Sequence, residues 1–414
     1  MTIEDVKKKF KDEYTRYRLV LVDEHPDELF FRTRSGIHVK ASSEDLNTYL
    51  EFTERQSNFE NIPFETCLCS SSHYEQLVSS PNRYSSSLSF WRGDRLQFGN
   101  TATDPIIVEI GEASSDFKNS FRFHESFVMR TLDRLRFNRG RDNQTLSDLL
   151  YSPLTIRVVG LSESSPEAAS KKALELIEGC LFNLAYLKGT TLVLEEELPR
   201  NKAQGGGFQF EENDFEKVLP LPKATVNRDV ARFYQRAMAA EDPVHQFLSF
   251  YQVLEYFFLA VSDEDLYRKI ALLVNDPLFT TKPKYLDKVI QATLNHKRES
   301  DETEMLKMVI SKYAEESELV AFIEAYEKHL GESLYTKKRK LFGEDSQVNI
   351  VTKGHVIGGI SRRVKLIRNA LVHSSDRHKR QENFVPTRNA EMKIRKELPL
   401  VKYLAEKVVI ASGS

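Results

Sequence analysis

Residues 17–42 set the first pattern. YRLVLVD (17–23), ELFFRTR (28–34) and GIHVKAS (36–42) alternate or run apolar, separated by Asp23 to Asp27 and by Ser35-Gly36. Period-two runs bounded by turn residues predict a β-meander. Residues 1–15 predict a short helix before it, and 43–60 a polar segment of helical character after it. Ser70 to Ser72 and Ser85 to Ser87 bracket a serine-rich stretch with tyrosines, expected as loops between strands. LSFWRGD (88–94) and PIIVEIG (105–111) read as strands, and HESFVMRTLDRLRFNRG (124–140) as a helix closed by Gly140.

A second pattern begins near Tyr151. LTIRVVGL (154–161) is a strand, 164–189 a helix with a serine cap, Pro166 in its first turn and Gly189 at its end, and TTLVLEEEL (190–198) a strand. This is the form of a crossover unit. No glycine-rich phosphate loop joins its first strand to its helix, so nothing marks a nucleotide site. The glycine-rich break at 201–214 and two prolines in VLPLPKAT (218–225) place the main boundary here.

Beyond it the period becomes helical. Helices are expected at 227–242, 242–261 (strongly apolar and central), 263–276, 282–298, 303–314 and 317–330. Residues 331–350, with Lys337, Lys338, Arg339 and Lys340, read as a basic loop. Gly354, Gly358 and Gly359 place the start of the next helix near Ile360. A basic loop runs from Ser374 to Pro386, and a last helix spans 389–410, with Pro399 starting, kinking or splitting it. The expected class is therefore α+β: a β-rich, mixed α/β N-terminal region at 1–222, subdivided near 150, and an all-α helical domain at 223–414.

Composition changes this picture little. The chain has 414 residues, 40% hydrophobic and 29% charged, as in ordinary globular proteins. No apolar run reaches the roughly 20 residues of a membrane span, and the charged N-terminus lacks a signal peptide's apolar core. Three cysteines make neither a disulfide framework nor a paired metal knuckle, so a cytoplasmic setting is expected, with no membrane partner, metal or cofactor. Charge is informative. Lys337 to Lys407 holds 18 Lys/Arg against 7 Asp/Glu, while the whole chain nets −2. Such a segment suits a polyanion, or is simply solvated.

KLIRNALVHS (365–374) lies within this basic segment. Ile360, Val364, Ile367 and Leu371 fall on one apolar stripe of a helical wheel. Asn369 and His373, four apart, share the nearly opposite face, with Arg368 at its flank. A histidine titrates near neutrality and serves as acid or base. Arginine offers phosphate a fixed fork of donors, and asparagine orients either through its amide. RNA brings its own nucleophile, the 2′-OH, so these groups are suited to strand cleavage without a metal.

An Arg-Asn-x-x-x-His helix late in a bundle resembles the HEPN superfamily, over roughly Arg228 to Ile410. Leu371-Val372-His373 with a small polar residue following resembles the Apea-like branch, associated with anti-phage defence. The resemblance implies a metal-independent endoribonuclease, with tRNA among its candidate substrates. It implies catalytic Arg368, Asn369 and His373 meeting their copies across a homodimer or higher homo-oligomer. It also implies abortive-infection activity under a phage-derived trigger or a regulatory protein. Glu255, inside the apolar QVLEYFF, is assigned a supporting role, orienting Arg368 or His373, or else is a half-exposed acid at the edge of the apolar face. Arg362, Lys365, Arg377, Lys379 and Arg380 are assigned to flanking RNA phosphates, against plain solvation. The alternative is a non-catalytic HEPN-like module for dimerisation or for protein or RNA binding. Cys67-x-Cys69 with His73 lacks an evident fourth metal ligand and reads better as strand residues.

Overall fold

The computed structural model describes residues 1–34, 36–80, 95–137, 144–198, 218–222, 225–299, 301–372 and 387–413. The chain divides into two compact units, Met1–Leu184 with Leu192–Lys223, and Ala185–Thr191 with Ala224–Ser414.

The first unit opens with α1 (Ile3–Arg16), started by a Thr2/Asp5 capping box. The expected meander follows as β1 (Val20–His25), β2 (Glu28–Arg32) and β3 (His38–Ala41), in that spatial order and antiparallel. Then comes α2 (Ser43–Arg55), capped by Ser42 and Asp45. Val6, Phe10 and Tyr14 of α1 share a core with Leu29, Phe31, Val39, Leu46, Tyr49 and Phe52. Spacings of three and four on the helices, and of two along β2, bring these side chains to common faces.

The larger sheet comprises β4 (Cys67–Cys69), β5 (His73–Ser79), β6 (Arg95–Phe98), β7 (Ile107–Glu112), β8 (Leu154–Val159), β9 (Val193–Leu194) and β10 (Val218–Leu219). Its order is β10-β6-β7-β8-β5-β4, with β9 also on β5. Short α3 (Ser115–Ser120), α4 (Glu125–Phe137) and α5 (Leu146–Leu149) lie between β7 and β8 in the chain. The long α6 (Pro166–Lys188) sets Ala169, Ala173, Ile177, Cys180 and Leu184 against Tyr74, Phe98, Val108, Ile156 and Val158.

Two expectations change here. The serine-rich stretch from Ser70, expected as loop, contains β5, which is paired on both edges. Its central polar residues are buried and held: Glu75 Oε1 accepts from Thr155 Oγ1 (2.7 Å) and Ser114 N (2.8 Å), Glu75 Oε2 lies 3.4 Å from His73 Nε2, and Tyr74 Oη donates to Gln76 Oε1 (2.7 Å). A strand covered on both faces needs no alternation, so the sequence pattern misses it. The strand expected over 190–198 shrinks to Val193–Leu194. β8 and β9 are both antiparallel to β5, so they run parallel with β5 between them. The strands expected at 88–94, and Gly140, lie outside the described residues.

The second unit contains α7 (Arg228–Ala239), α8 (Pro243–Glu255), α9 (Phe258–Val274), α10 (Pro283–Glu299), α11 (Glu302–Tyr313), α12 (Glu316–Leu330), β11 (Arg339–Leu341), β12 (Glu344–Ser346), α13 (Val356–Val372) and α14 (Arg388–Ala411). α8 is its centre, with Phe247, Phe250, Tyr251, Val253 and Leu254 buried. The apolar run expected to continue to 261 instead breaks at Tyr256-Phe257. Phe257 N–H donates to the Leu254 carbonyl, tightening the last turn, and its ring meets Tyr313 (5.3 Å). The basic segment 331–350 is not all loop: β11 and β12 form a hairpin, turned by Phe342 and Gly343 at positive φ (46° and 86°).

α13 starts at Val356, so Gly358 and Gly359 lie within it. Glu316 accepts from Gly354 N (2.8 Å) and Val356 N (3.2 Å), satisfying its N-terminus. A Cβ on Gly359 would lie 3.2 Å from Val348 Cα, so the glycine admits the segment after β12. Arg363 of α13 is 2% exposed. It donates to Glu397 through Nε (2.9 Å) and Nη2 (2.6 Å), to Ser346 Oγ (3.1 Å) and to the Leu334 carbonyl (3.3 Å), over the ring of Tyr335. α14 runs through Pro399 unsplit. Tyr326 and Tyr335 donate their hydroxyls to the Lys396 carbonyl in the turn that proline loosens. Among the described residues, no helix is long and apolar enough to cross a membrane.

Candidate functional site

The apolar stripe of α13 is buried at Ile360, Val364 and Ile367, while Leu371 is half-buried near the helix end. This sets Arg368 and Asn369 at the half-exposed edge of the helix. Arg368 Nη1 donates to Asn369 Oδ1 (3.2 Å). Arg368 Nε lies 3.3 Å from Glu302 Oε1 and Nη2 lies 3.6 Å from Glu255 Oε1. Its guanidinium sits over the ring of Tyr251, 5.7 Å from the centroid. Glu255 therefore does lie beside Arg368, as the last residue of α8.

Sequence reading missed Glu302 and Tyr251. Tyr251 Oη donates to Glu302 Oε1 (2.5 Å). Burial, and next the Glu302 carboxylate, push its phenol far above the ordinary range, so it stays a donor. The signal for Tyr251 was its place one turn before Glu255, on the same face of α8. Glu302 had none, because its partner lies far away in sequence.

Lys365 is one turn before Asn369 on α13. Its Nζ donates to Asp301 Oδ1 (2.6 Å) and Thr303 Oγ1 (2.8 Å). Asp301 caps α11 by accepting from Thr303 N (3.2 Å). Hydrogen bonds from Lys365, then from Thr303, hold its carboxyl down at about 2. Arg362 is exposed and donates Nε to the carbonyl of Gly358 (3.2 Å). The described part of the site thus sets Arg368 and Lys365 among Glu255, Asp301 and Glu302. Both cations are paired, and an incoming phosphate must compete with carboxylates for Arg368. His373, Arg377, Lys379 and Arg380 lie outside the described residues.

The other basic candidates are partly engaged. Lys338 pairs with Asp345 (2.9 Å) and Arg339 with Glu332 (3.3 Å). Among the described residues no cluster of His, Cys, Asp and Glu is placed to hold a metal ion. Cys67 Sγ donates to the carbonyls of Ile62 (2.9 Å) and Phe64 (3.0 Å). Burial raises the Cys67 thiol, pushes Cys69 up to about 12, and raises Cys180 well above its ordinary value. We expect none of the three to react with a thiol reagent such as Ellman's in the folded protein, and all three to react in denaturant. Rapid labelling before unfolding would refute their burial.

No protein-family profile matches the chain, nor does any curated protein or solved structure.

Proposed function

We propose that the helical unit is a metal-independent endoribonuclease resembling the HEPN superfamily. The observation that carries this reading is the Arg368–Asn369 pair, hydrogen-bonded at the half-exposed edge of α13, with His373 four residues after Asn369 in the sequence. His373 takes or gives the proton, at the 2′-OH or the leaving 5′-oxygen. Arg368 neutralises charge on the phosphorane oxygens through its fork. Asn369 holds that fork in place. One copy supplies one histidine, and a homodimer brings a second, giving an acid and a base across the scissile phosphate. The products are a 2′,3′-cyclic phosphate and a 5′-OH. Glu255 and Glu302 hold Arg368 in the resting state, to be displaced by phosphate. In this reading the protein is an abortive-infection effector, and a phage-derived trigger or a regulatory protein releases it.

The test is incubation of the full chain with tRNA and with total RNA in EDTA, followed by analysis of the product ends. Cleavage leaving cyclic phosphate is the expected result. Cleavage that vanishes in EDTA, or products with 5′-phosphate, would overturn the chemistry.

One observation favours a second reading, a non-catalytic interaction module. Arg368 already faces two carboxylates and a tyrosine ring, as a residue tying α8, α11 and α13 together would. In that case Arg368→Ala lowers stability and RNA is left intact.

A further inference from the structure

α7 carries three arginines at four-residue spacing, Arg228, Arg232 and Arg236. That spacing puts them on one face of the helix. On a helical wheel this face lies nearly opposite Val230, Tyr234 and Ala237, which are buried. Arg232 and Arg236 are exposed, and Arg228 is half-buried. Arg228 and Arg232 each have an interaction within the chain, so an incoming anion competes for them as it does for Arg368. The one acid in α7 is Asp229, in its first turn, and it accepts from Tyr256 Oη (3.4 Å).

The row begins beside the candidate site. Tyr256 follows Glu255, whose carboxylate lies 3.6 Å from Arg368 Nη2. Its hydroxyl reaches α7 at Asp229, the neighbour of Arg228 in the chain. The Tyr256 side chain is nevertheless 43% exposed. Its tip is held by Asp229, and its ring meets Phe257 edge-on (5.1 Å). An exposed aromatic ring fixed in this way is a platform for another planar group. From there the arginines run about 12 Å along α7, about 6 Å from one to the next, at 1.5 Å per residue.

We propose that Tyr256 and the arginines of α7 form a track for single-stranded RNA leading away from Arg368. Phosphates of the strand lie along the arginines, and a base near the scissile phosphate stacks on Tyr256. A row of cations beside an exposed ring is the combination that holds a single strand without reading its sequence. A duplex keeps its bases stacked inside, and so offers none to Tyr256. An acidic peptide would meet the arginines and leave the ring unused. The identity of the strand rests on the ribonuclease reading of α13, while the track itself uses no residue of α13. The substrate it implies is a loop or an unpaired end, long enough to extend about 12 Å past the cleaved bond.

The test uses the full chain and a fluorescein-labelled 2′-O-methyl RNA strand of about 12 nucleotides, within the usual site sizes for single strands. Its blocked 2′-oxygen prevents cleavage, so binding is read apart from chemistry. Fluorescence anisotropy should show the strand bound more tightly than the duplex of the same sequence by roughly five- to hundredfold, the contribution of one stacked base. Tyr256→Ala should lose a factor of that size. Tyr256→Phe should keep it, since the ring stays and only the bond to Asp229 goes. Arg232→Ala with Arg236→Ala should lower the slope of log affinity against log salt by about 1.4, as for two single-strand phosphate contacts. Lysine at both positions should retain the slope. Circular dichroism checks that each variant is folded. The track is overturned by a wild type that does not bind the strand, by equal affinity for the duplex, or by a slope unchanged in the double-alanine variant. Poly-glutamate that displaces the strand as well as unlabelled RNA does would also overturn it. Cleavage of natural RNA by the wild type, with the slope unchanged in the variant, removes the track and keeps the nuclease. Strand binding along α7 without cleavage keeps the track and removes the nuclease.

Discussion

Arg363→Met should cost the second unit about 3–5 kcal/mol, because it leaves Glu397 buried without its partner. The side chain of Glu397 is 3% exposed, and that of Arg363 1%. Water cannot replace the lost pair, and Ser346 Oγ and the Leu334 carbonyl lose a donor as well. The expected observation is a selective fall of one calorimetric transition, since a chain of two units need not unfold in one step. Arg363→Met combined with Glu397→Leu should recover most of the loss, because apolar pairs of similar volume often match buried ion pairs. Burial opposes the charge on Arg363, but the hydrogen bonds and charge of Glu397 outweigh it and raise its pKa above the ordinary value. A raised cationic group contributes fully below its unfolded pKa, so the arginine's contribution stays constant through neutral and mildly alkaline pH. A double variant no more stable than Arg363→Met would show that the arginine acts through packing alone.

The second large effect is on chemistry. Arg368→Ala should lower RNA cleavage by about 10²–10³, the usual cost of removing one donor that stabilises transition-state charge. His373→Ala should lower it by about 10²–10⁴, the range of general acid–base catalysis. Arg368→Lys should rescue little, because an ammonium cannot present the two-pronged fork. Glu255→Gln with Glu302→Gln should act in the opposite direction, tightening RNA binding and steepening its salt dependence as Arg368 becomes available to phosphate. Single-turnover cleavage and filter binding at two salt concentrations read these effects. Activity that survives His373→Ala would remove the site from α13. Loss of stability in Arg368→Ala without change in RNA cleavage would favour the interaction module.

Much of the architecture was legible because it rests on local periodicity. The meander shows in the alternation of ELFFRTR, and the stripe of α13 shows in Ile360, Val364 and Ile367. What escaped depends on distant partners. β5 looks like loop because Glu75 and Gln76 are polar, yet Thr155 and Ser114 donate to Glu75 Oε1 and Tyr74 to Gln76, holding both in the buried strand. The break after α8 leaves no glycine or proline in the sequence, since packing of Phe257 on Tyr313 accompanies a tightened turn. At the site, Arg368, Asn369 and Glu255 announced themselves by residue type and spacing. Glu302 did not, because 66 residues separate it from Arg368 in the chain. The buried Arg363–Glu397 pair was equally silent: on a wheel, Arg363 is one more charge in a basic segment.

The two carboxylates that hold Arg368 occupy particular places in the chain. Glu255 is the last residue of α8, before the arm of α9 and α10, and Glu302 the first of α11, after it. The guanidinium therefore sits at a fulcrum. α9 stays packed on the bundle through Phe258, Val261 and Glu264, which pairs with Lys312 of α11; the rest of α9, with α10, extends about 15 Å further, at 1.5 Å per residue, so a load on the tip acts with a moment about these roots. Any tilt of the arm is felt first as a change in the distances from Glu255 and Glu302 to Arg368. Their separations of 3.6 and 3.3 Å make the guanidinium a gauge of the arm's attitude.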